Sequence, residues 1–172
     1  IDSGRPIIFS QTRIGINGKP FKFYKFRSMY PSSEDGERKN KFREFIKHGK
    51  LGSSKTTKIV DVNRITRVGK IIRKTSLDEL PQLVNVIKGD MSLVGPRPCL
   101  PYEWEQYDEW HKKRLSVVPG CTGVWQVSGR SEVTFNDMVI LDLYYIQTQS
   151  LFLDVKVILK TIPVMIFGKG GL

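Results

Sequence analysis

The amino-acid sequence predicts an α+β fold, with one mostly helical domain and a small β-hairpin near its N-terminus. The chain has 172 residues, a length that suits one domain with a substantial hydrophobic core. Apolar residues make up 40% of it and charged residues 26%, proportions that are typical of globular proteins and argue against wholesale disorder. One early segment has the pattern of a hairpin, and most later apolar residues recur at helical spacing. We therefore expect a single domain over residues 1–172.

The predicted hairpin covers residues 7–29, where apolar and polar residues alternate on either side of a turn. The turn is Asn17-Gly18, a pair that favours the positive φ angles of a tight hairpin. The return strand ends with Lys25 and Arg27. These two residues are either ordinary cations on a strand edge or one wall of a binding site.

The segment after the hairpin is the least determined by its sequence. Residues 31–63 contain a loop, a charged helix over residues 37–47 and a flexible Gly-Ser-rich stretch at residues 51–55, and the whole segment is a candidate lid. Residues 64–74 form a basic amphipathic helix, which suits a membrane surface as well as packing against the core. Further along, residues 91–94 predict a short strand.

The C-terminal half predicts three more helices. The first covers residues 102–115 and turns its aromatic residues inward, and the second begins at Thr134 as its N-cap. This second helix carries Asp142 on its apolar face, where a carboxylate is costly unless paired. We expect Asp142 to form a structural salt bridge with an arginine of the active site. The tail, residues 151–167, is an apolar helix broken by Pro163, lying in a membrane interface or over the core.

The positive charge of the chain is unevenly distributed. The net charge is +11, with 19 Lys and Arg against 6 Asp and Glu in residues 1–77 and 9 against 11 in residues 78–172. Such an imbalance indicates a polyanionic partner, which nucleic acid, anionic lipid or a nucleoside diphosphate would each provide.

Several functional classes lack the residues that they need. Cys99 and Cys121 have no Cys-x-x-Cys spacing, and His48 and His111 are isolated, so a zinc site is not expected. No Gly-x-Gly-x-x-Gly or Walker-type loop occurs. No apolar run reaches the length of a transmembrane helix, and no signal peptide is visible.

The centre of the chain carries two adjacent carboxylates, Asp78 and Glu79. Apolar residues at helical spacing predict a short amphipathic helix that begins near Ser76, and Ser76 with Glu79 has the spacing of a capping box. Pro81 opposes that start, because proline is tolerated only in the first turn. In either case both carboxylates lie in the first turn, at the positive end of the helix dipole.

The two carboxylates have two possible explanations. Acidic residues in a first turn stabilise a helix by about 0.3–1 kcal/mol and need no other role. However, Arg73 precedes them, and Arg97 follows between two prolines that restrict its backbone. Rigidly held arginines beside carboxylates suit a phosphate-bearing substrate with a divalent cation bridging phosphate and carboxylate. The spacing alone leaves both explanations open.

Five blocks, in order along nearly the whole chain, resemble those of the bacterial sugar transferases. These are monotopic phosphoglycosyl transferases that start polysaccharide and glycan assembly on a polyprenyl phosphate. The blocks are QTRIG at residues 11–15, KFRSM at 25–29, TSLDELPQ at 75–82, KGDMSLVGPRP at 88–98, and PGCTG with QVSGR within 119–130.

The resemblance implies transfer of a sugar 1-phosphate from a UDP-sugar to polyprenyl (undecaprenyl) phosphate, with release of UMP. It implies that Asp78 is the nucleophile and forms an aspartyl-phosphosugar intermediate. Its place at a helix start would keep it ionised and offer N–H groups to the phosphate. Glu79 would serve as metal ligand, orienting group or proton carrier, and Mg²⁺ (or Mn²⁺) would bind at Asp78 and Glu79.

The resemblance also implies a set of cations around the substrate and a location for the protein. The implied substrate-binding cations are Lys25, Arg27, Arg73, Arg97 and Arg130. The implied location is the cytoplasmic face of the inner membrane, with amphipathic helices on its surface and an upstream membrane-entering segment that this chain lacks. The sugar and the oligomeric state are left open.

Two other functions suit the sequence less well. A nucleic-acid-binding module would use the basic half, but no recognition helix or interleaved aromatic residues occur there, so no nucleic-acid partner is expected. A glycoside hydrolase needs two carboxylates that flank a sugar bond. Adjacent residues on one helical turn point about 100° apart, so Asp78 and Glu79 do not suit that geometry.

Overall fold

A computed structural model of the chain describes residues 4–31, 35–48, 62–128 and 133–167. It confirms the α+β class: these residues form eight α-helices and two small two-stranded sheets. Among them, no helix is both long enough and apolar enough to cross a membrane. Within the candidate lid at residues 31–63, the stretch at residues 51–55 lies outside the described residues.

The N-terminal hairpin has the predicted form. Strands β1 (Ile8–Ile14) and β2 (Pro20–Phe26) pair antiparallel along their whole length. The connecting turn places Asn17 at a φ of 52° and Gly18 at a φ of 78°, which explains why an Asn-Gly pair occupies it. The sequence therefore determines this element locally.

The main core joins the charged helix α1 (Asp35–His48) to the C-terminal half. Its aromatic residues pack edge to face or tilted around Phe135, the first residue of α7 (Phe135–Thr148), with ring centres 5.4–5.9 Å away for Phe42, Phe45 and Tyr107. Such pairs add stabilisation beyond the area they bury. The prediction of a helix over residues 37–47 and that of Thr134 as N-cap are both confirmed.

A second sheet, which the sequence predicted only in part, contacts the helix at Gln82–Ile87 through its first strand. Strands β3 (Ser92–Val94) and β4 (Gly120–Thr122) pair in parallel, and helix α6 (Val124–Ser128) follows. Gly120 packs so tightly that a Cβ atom there would overlap the backbone of Gly95. This close approach fixes the segment after β3.

Two of the three helices predicted in the C-terminal half, at residues 102–115 and 151–167, differ from expectation. Residues 102–115 do not form one helix but two short ones, α4 (Pro101–Trp104) and α5 (Glu109–Lys112), followed by a 3₁₀ turn at Lys113–Leu115. The break occurs where Asp108 becomes an extended N-cap. Helix α8 (Leu151–Phe167) runs through Pro163 without a break, and both Pro163 and Leu159, whose carbonyl loses its helical donor, are exposed.

The predicted helix start at Ser76 is wrong. The basic helix α2 (Arg67–Lys74) ends just before it, and Ser76 adopts a left-handed conformation with a φ of 56° and makes no side-chain cap. A 3₁₀ turn follows at Leu77–Glu79, and α3 (Gln82–Ile87) begins only after Pro81. The proline therefore decided the helix start, in agreement with its lack of a backbone donor.

Candidate active site

The residues in and next to the 3₁₀ turn between α2 and α3 differ strongly in solvent exposure. Asp78 is only 6% exposed, whereas the neighbouring Leu77 and Leu80 are 43% and 45% exposed. The left-handed Ser76 reverses the chain and makes this arrangement possible. The apolar residues of the motif thus point outward, and one of its carboxylates points inward.

The hairpin is attached to this motif by one buried amide. Asn85 on α3 is fully buried, and its side chain accepts a hydrogen bond from the Tyr24 backbone N–H (3.2 Å) and donates one to the Lys22 carbonyl (2.6 Å). These bonds imitate a strand pairing between α3 and β2. They set the position along β2 from which Lys25 reaches the carboxylates.

Glu79 forms an ion pair with Lys25 of the hairpin, with Nζ and Oε1 2.6 Å apart. Burial alone would raise the pKa of Glu79, but the Lys25 ammonium and the Arg97 guanidinium outweigh it and lower this pKa to about 2. Glu79 is therefore ionised at neutral pH and held in place by a cation from another element.

Asp78 differs from its neighbour, because no described residue forms an ion pair with it. Burial raises the pKa of Asp78 above that of an ordinary aspartate, and the Lys25 and Arg73 cations reduce this rise. The expected position of Asp78 in the first turn of α3 is wrong, since Asp78 lies in a 3₁₀ turn and α3 begins four residues later. Asp78 is thus a desolvated carboxylate without an ion-pair partner among the described residues.

The side chains of the predicted arginines Arg73 and Arg97 make different contacts. Arg73 points back toward the hairpin, where its NH1 contacts the Met29 sulfur at 3.7 Å. Arg97 is half-buried and acts electrostatically on Lys25 and Glu79. Within the described ranges, Arg97 has neither a hydrogen bond nor an ion pair. A guanidinium near the Glu79 carboxylate, without a partner among the described residues, is suited to an anionic ligand.

Three other predicted residues do not join this group. Arg27 lies at the surface, where NH1 donates to the Arg5 carbonyl at 3.3 Å, and it has no bond to either carboxylate. Arg130 lies outside the described residues. Asp142 is buried and paired as expected, but its partner is the buried Arg114 of the core and not an arginine of the site; this part of the prediction is wrong.

Two residues near the site were missed by sequence reasoning. Arg13 on β1 donates to the Pro98 carbonyl at 3.3 Å, beside Arg97; its presence in the block QTRIG was the available signal. Cys121 on β4 is close enough to Glu79 for that carboxylate to act on it, and burial with this charge raises the pKa of its thiol to about 11. Nothing in the sequence connects Cys121 with Glu79, because 42 positions separate them.

The family model for bacterial sugar transferases matches residues 1–168. The chain belongs to the bacterial sugar transferase family. The galactosyl transferase CpsE of Streptococcus agalactiae is 48% identical over 169 residues, covering 98% of this chain and 36% of that protein. The exopolysaccharide production protein ExoY of Sinorhizobium fredii is 43% identical and covers 98% of this chain and 74% of its own length.

A third relative is an undecaprenyl-phosphate galactose phosphotransferase of Salmonella typhimurium, 43% identical over 98% of this chain and 35% of that protein. The chain thus spans about a third of the length of two of these three sugar transferases. The similarity covers the segments that carry Lys25, Asp78, Glu79 and Arg97, because each alignment includes nearly the whole chain.

The oxygen donors of this sugar transferase fit one mode of magnesium binding. Among the described residues, no three His, Cys, Asp or Glu side chains lie together as a metal cage. Two adjacent carboxylates are present, and Glu79 has one oxygen on Lys25. Magnesium commonly binds through one or two carboxylates, its own waters and the phosphates of a substrate, which is the mode that this pair suits.

Proposed function

We propose that this chain is the catalytic part of a phosphoglycosyl transferase. In this proposal it transfers a sugar 1-phosphate from a UDP-sugar to a polyprenyl phosphate, with undecaprenyl phosphate as the acceptor, and releases UMP. The family membership and relatives with the names given above support the reaction class. The observation that carries the proposal is the buried Asp78, which has no ion pair with another described residue and lies near the cations Lys25 and Arg73.

The first step that we propose is attack by Asp78 on the phosphorus next to the sugar. A carboxylate oxygen forms a bond to this phosphorus, and the bond from it to the bridging oxygen breaks. UMP leaves with the electron pair, and the sugar phosphate stays on Asp78 as an acyl phosphate. In the second step an oxygen of the polyprenyl phosphate attacks the same phosphorus and displaces the Asp78 carboxylate.

The cations around Asp78 address the main electrostatic obstacle to this chemistry. An anionic nucleophile must approach a diphosphate that is itself negative, so the charge must be neutralised before reaction. Arg97, which has no partner among the described residues, provides a guanidinium for the diphosphate. Arg73 acts on Asp78, and Lys25 neutralises Glu79. From the resemblance we propose that Arg130 binds the nucleotide and that Arg27 belongs to the basic wall of the site.

Desolvation of Asp78 is consistent with a nucleophilic role. A carboxylate with few hydrogen bonds loses little solvation when it attacks, and the raised pKa makes it more basic. Magnesium, bound through Asp78 or Glu79 and the substrate phosphates, would supply further charge neutralisation and orientation. Glu79 itself, held by Lys25, orients the turn that presents Asp78.

The exposed apolar surface around the site supports a membrane-bound acceptor. Leu77 and Leu80 flank the carboxylates, and Ile87 on α3 is 87% exposed. Helix α2 contacts both the 3₁₀ turn at Leu77–Glu79 and α8. It exposes Ile71 between Lys70 and Lys74, which are also exposed. Helix α8 exposes a row of apolar side chains, namely Leu151, Phe152, Val155, Leu159 and Ile162. We propose that this surface lies on the cytoplasmic face of the inner membrane.

The covalent step is tested with a donor that carries a radioactive sugar, beginning with UDP-galactose. Without acceptor, the wild-type chain should retain label after denaturation, and Asp78→Asn should retain none, because an amide does not attack phosphorus. Asp108→Asn is the matched control, since Asp108 is exposed and can keep its capping role as asparagine. Full UMP release by Asp78→Asn in the presence of undecaprenyl phosphate would refute the covalent scheme.

The membrane surface is tested by sedimentation with vesicles that contain phosphatidylglycerol. Leu83→Glu combined with Ile87→Glu should reduce the bound fraction severalfold, since both side chains are exposed and a buried charge is expensive. Ile140→Glu is the control, because Ile140 is also exposed but lies on α7. Equal losses in both variants would contradict the proposed face.

A further inference from the structure

Arg13 is a charged residue of the site region to which the proposed chemistry assigns no role. It lies on β1, opposite Phe21 of β2, and it is half-buried. Its NH1 donates to the Pro98 carbonyl at 3.3 Å, so its guanidinium contacts the residue that directly follows Arg97. A long side chain from the hairpin therefore reaches the backbone of the segment that carries the unpaired cation.

One buried ring joins Arg13 to the other cation of the site. Phe23 on β2 is 3% exposed, and the Arg13 guanidinium carbon lies 5.3 Å from its ring centre. The Lys25 ammonium lies 5.5 Å from the same centre and forms the ion pair with Glu79. Contacts of this kind favour a cation near the ring face, so Phe23 sets the spacing between Arg13 and Lys25.

A backbone bridge supports the same connection. The Ile14 N–H donates to the Cys99 carbonyl at 2.9 Å, and the two residues form an antiparallel bridge. Strand β1 therefore donates hydrogen bonds to the carbonyls of Pro98 and Cys99, the two residues that follow Arg97. Pro96 is fully buried on the other side. The position of Arg97 relative to Lys25 thus depends on β1.

The charged groups that surround Arg13 and Arg97 differ. Burial lowers the pKa of Arg13 and the adjacent Arg97 lowers it further, whereas the Glu103 carboxylate opposes both. Arg13 therefore has a carboxylate in its surroundings, and Arg97 has no ion pair among the described residues. This difference makes Arg97 the cation that is available to a ligand, and it makes Arg13 part of the support.

We propose that Arg13 is a positioning residue: through the Pro98 carbonyl and the Phe23 ring it holds Arg97 and Lys25 at the spacing required by one diphosphate. Arg13 does not itself touch the ligand. This inference rests on the proposed function, because it takes the diphosphate of the donor as the anion that Arg97 binds. It adds a hairpin residue to the determinants of donor affinity.

A double-mutant cycle tests the inference, because two residues that act through one contact are not additive. UDP with magnesium chloride is titrated calorimetrically into the wild type, Arg13→Met, Arg97→Met and the double variant. We expect Arg13→Met to weaken UDP binding about tenfold and the double variant to bind UDP more tightly than the product of the two single losses would give. Lys22→Met is the control on the same hairpin, and it should bind UDP as the wild type does, since its side chain is exposed.

The conservative variant separates position from charge. Arg13→Lys keeps the charge but loses the planar fork that reaches a carbonyl and stacks on a ring. It should bind UDP about threefold more weakly than the wild type, an intermediate loss. If Arg13→Met does not fold, as judged by circular dichroism, Arg13→Lys takes its place in the cycle.

The possible outcomes are distinct. Losses that multiply in the double variant would overturn the inference, because Arg13 would then act independently of Arg97. Wild-type affinity in Arg13→Met would overturn it as well. If the wild type does not bind UDP, the proposed donor is refuted, and the same cycle with inorganic pyrophosphate decides the inference alone. Failure to bind either probe would overturn both.

Discussion

The ion pair between Lys25 and Glu79 makes the stability of the protein depend on pH, and removal of Lys25 should abolish much of that dependence. The pKa of Glu79 is about 2 in the folded chain, against an ordinary value of 4.5. Each pKa unit corresponds to about 1.4 kcal/mol. Since the Glu79 side chain is still 32% exposed, we allow for solvent screening and expect a contribution of about 2 kcal/mol.

The direction follows from the lowered pKa. The folded state binds the Glu79 proton more weakly than the unfolded state, so this stabilisation is fully present above about pH 4.5 and is lost as the pH falls toward 2. In Lys25→Met, Glu79 keeps only the Arg97 cation nearby. The free energy of unfolding should therefore fall at pH 7, and the difference from the wild type should shrink between pH 4.5 and 2.

The assay is urea unfolding at pH 7, 4.5, 3 and 2, followed by tryptophan fluorescence. Lys112→Met is the matched control, because Lys112 and Glu109 are 2.7 Å apart but the Glu109 side chain is 88% exposed. Exposed pairs contribute little, so this variant should show no measurable pH-dependent difference. The reasoning is refuted if Lys25→Met differs from the wild type by the same amount at all four pH values.

Three further predictions concern the contacts that hold the site in place, and each is checked by urea unfolding. Asn85→Leu should lower the free energy of unfolding by about 3 kcal/mol, because it leaves buried backbone groups of β2 without partners; an unchanged midpoint would contradict the role of this amide. Arg114→Met should cost about 4 kcal/mol by leaving Asp142 buried and unpaired, and adding Asp142→Leu should recover at least half of that loss. Gly120→Ala should cost about 3 kcal/mol, since its Cβ would overlap the segment after β3, whereas Gly89→Ala, strained but in open space, should cost about 1 kcal/mol. Equal costs for the two glycines would refute the close-packing argument.

The hairpin and the helices that have a clear cap could be predicted because their signals are local. Asn17-Gly18 adopts positive φ angles wherever it occurs in a tight turn, and Thr134 accepts a hydrogen bond from the Asp137 backbone N–H, three residues away. The start of α3 was mispredicted because a capping-box spacing and a proline gave opposite indications. Pro81 decided it, and Ser76 adopts a left-handed conformation without capping a helix; no sequence pattern predicts that conformation for a non-glycine residue.

The sequence by itself determined the α+β class, the hairpin, and Asp78, Glu79 and Arg97 as candidate chemistry, since these depend on neighbouring residues and on matched blocks. Only the tertiary structure decided which charges meet. Lys25 reaches Glu79 across 54 positions and Asp142 pairs with Arg114 and not with the site, because the energy of an ion pair depends on distance and burial in space. The exposure of Leu77 and the burial of Asp78 likewise depend on how the 3₁₀ turn that contains both residues packs against the rest of the chain.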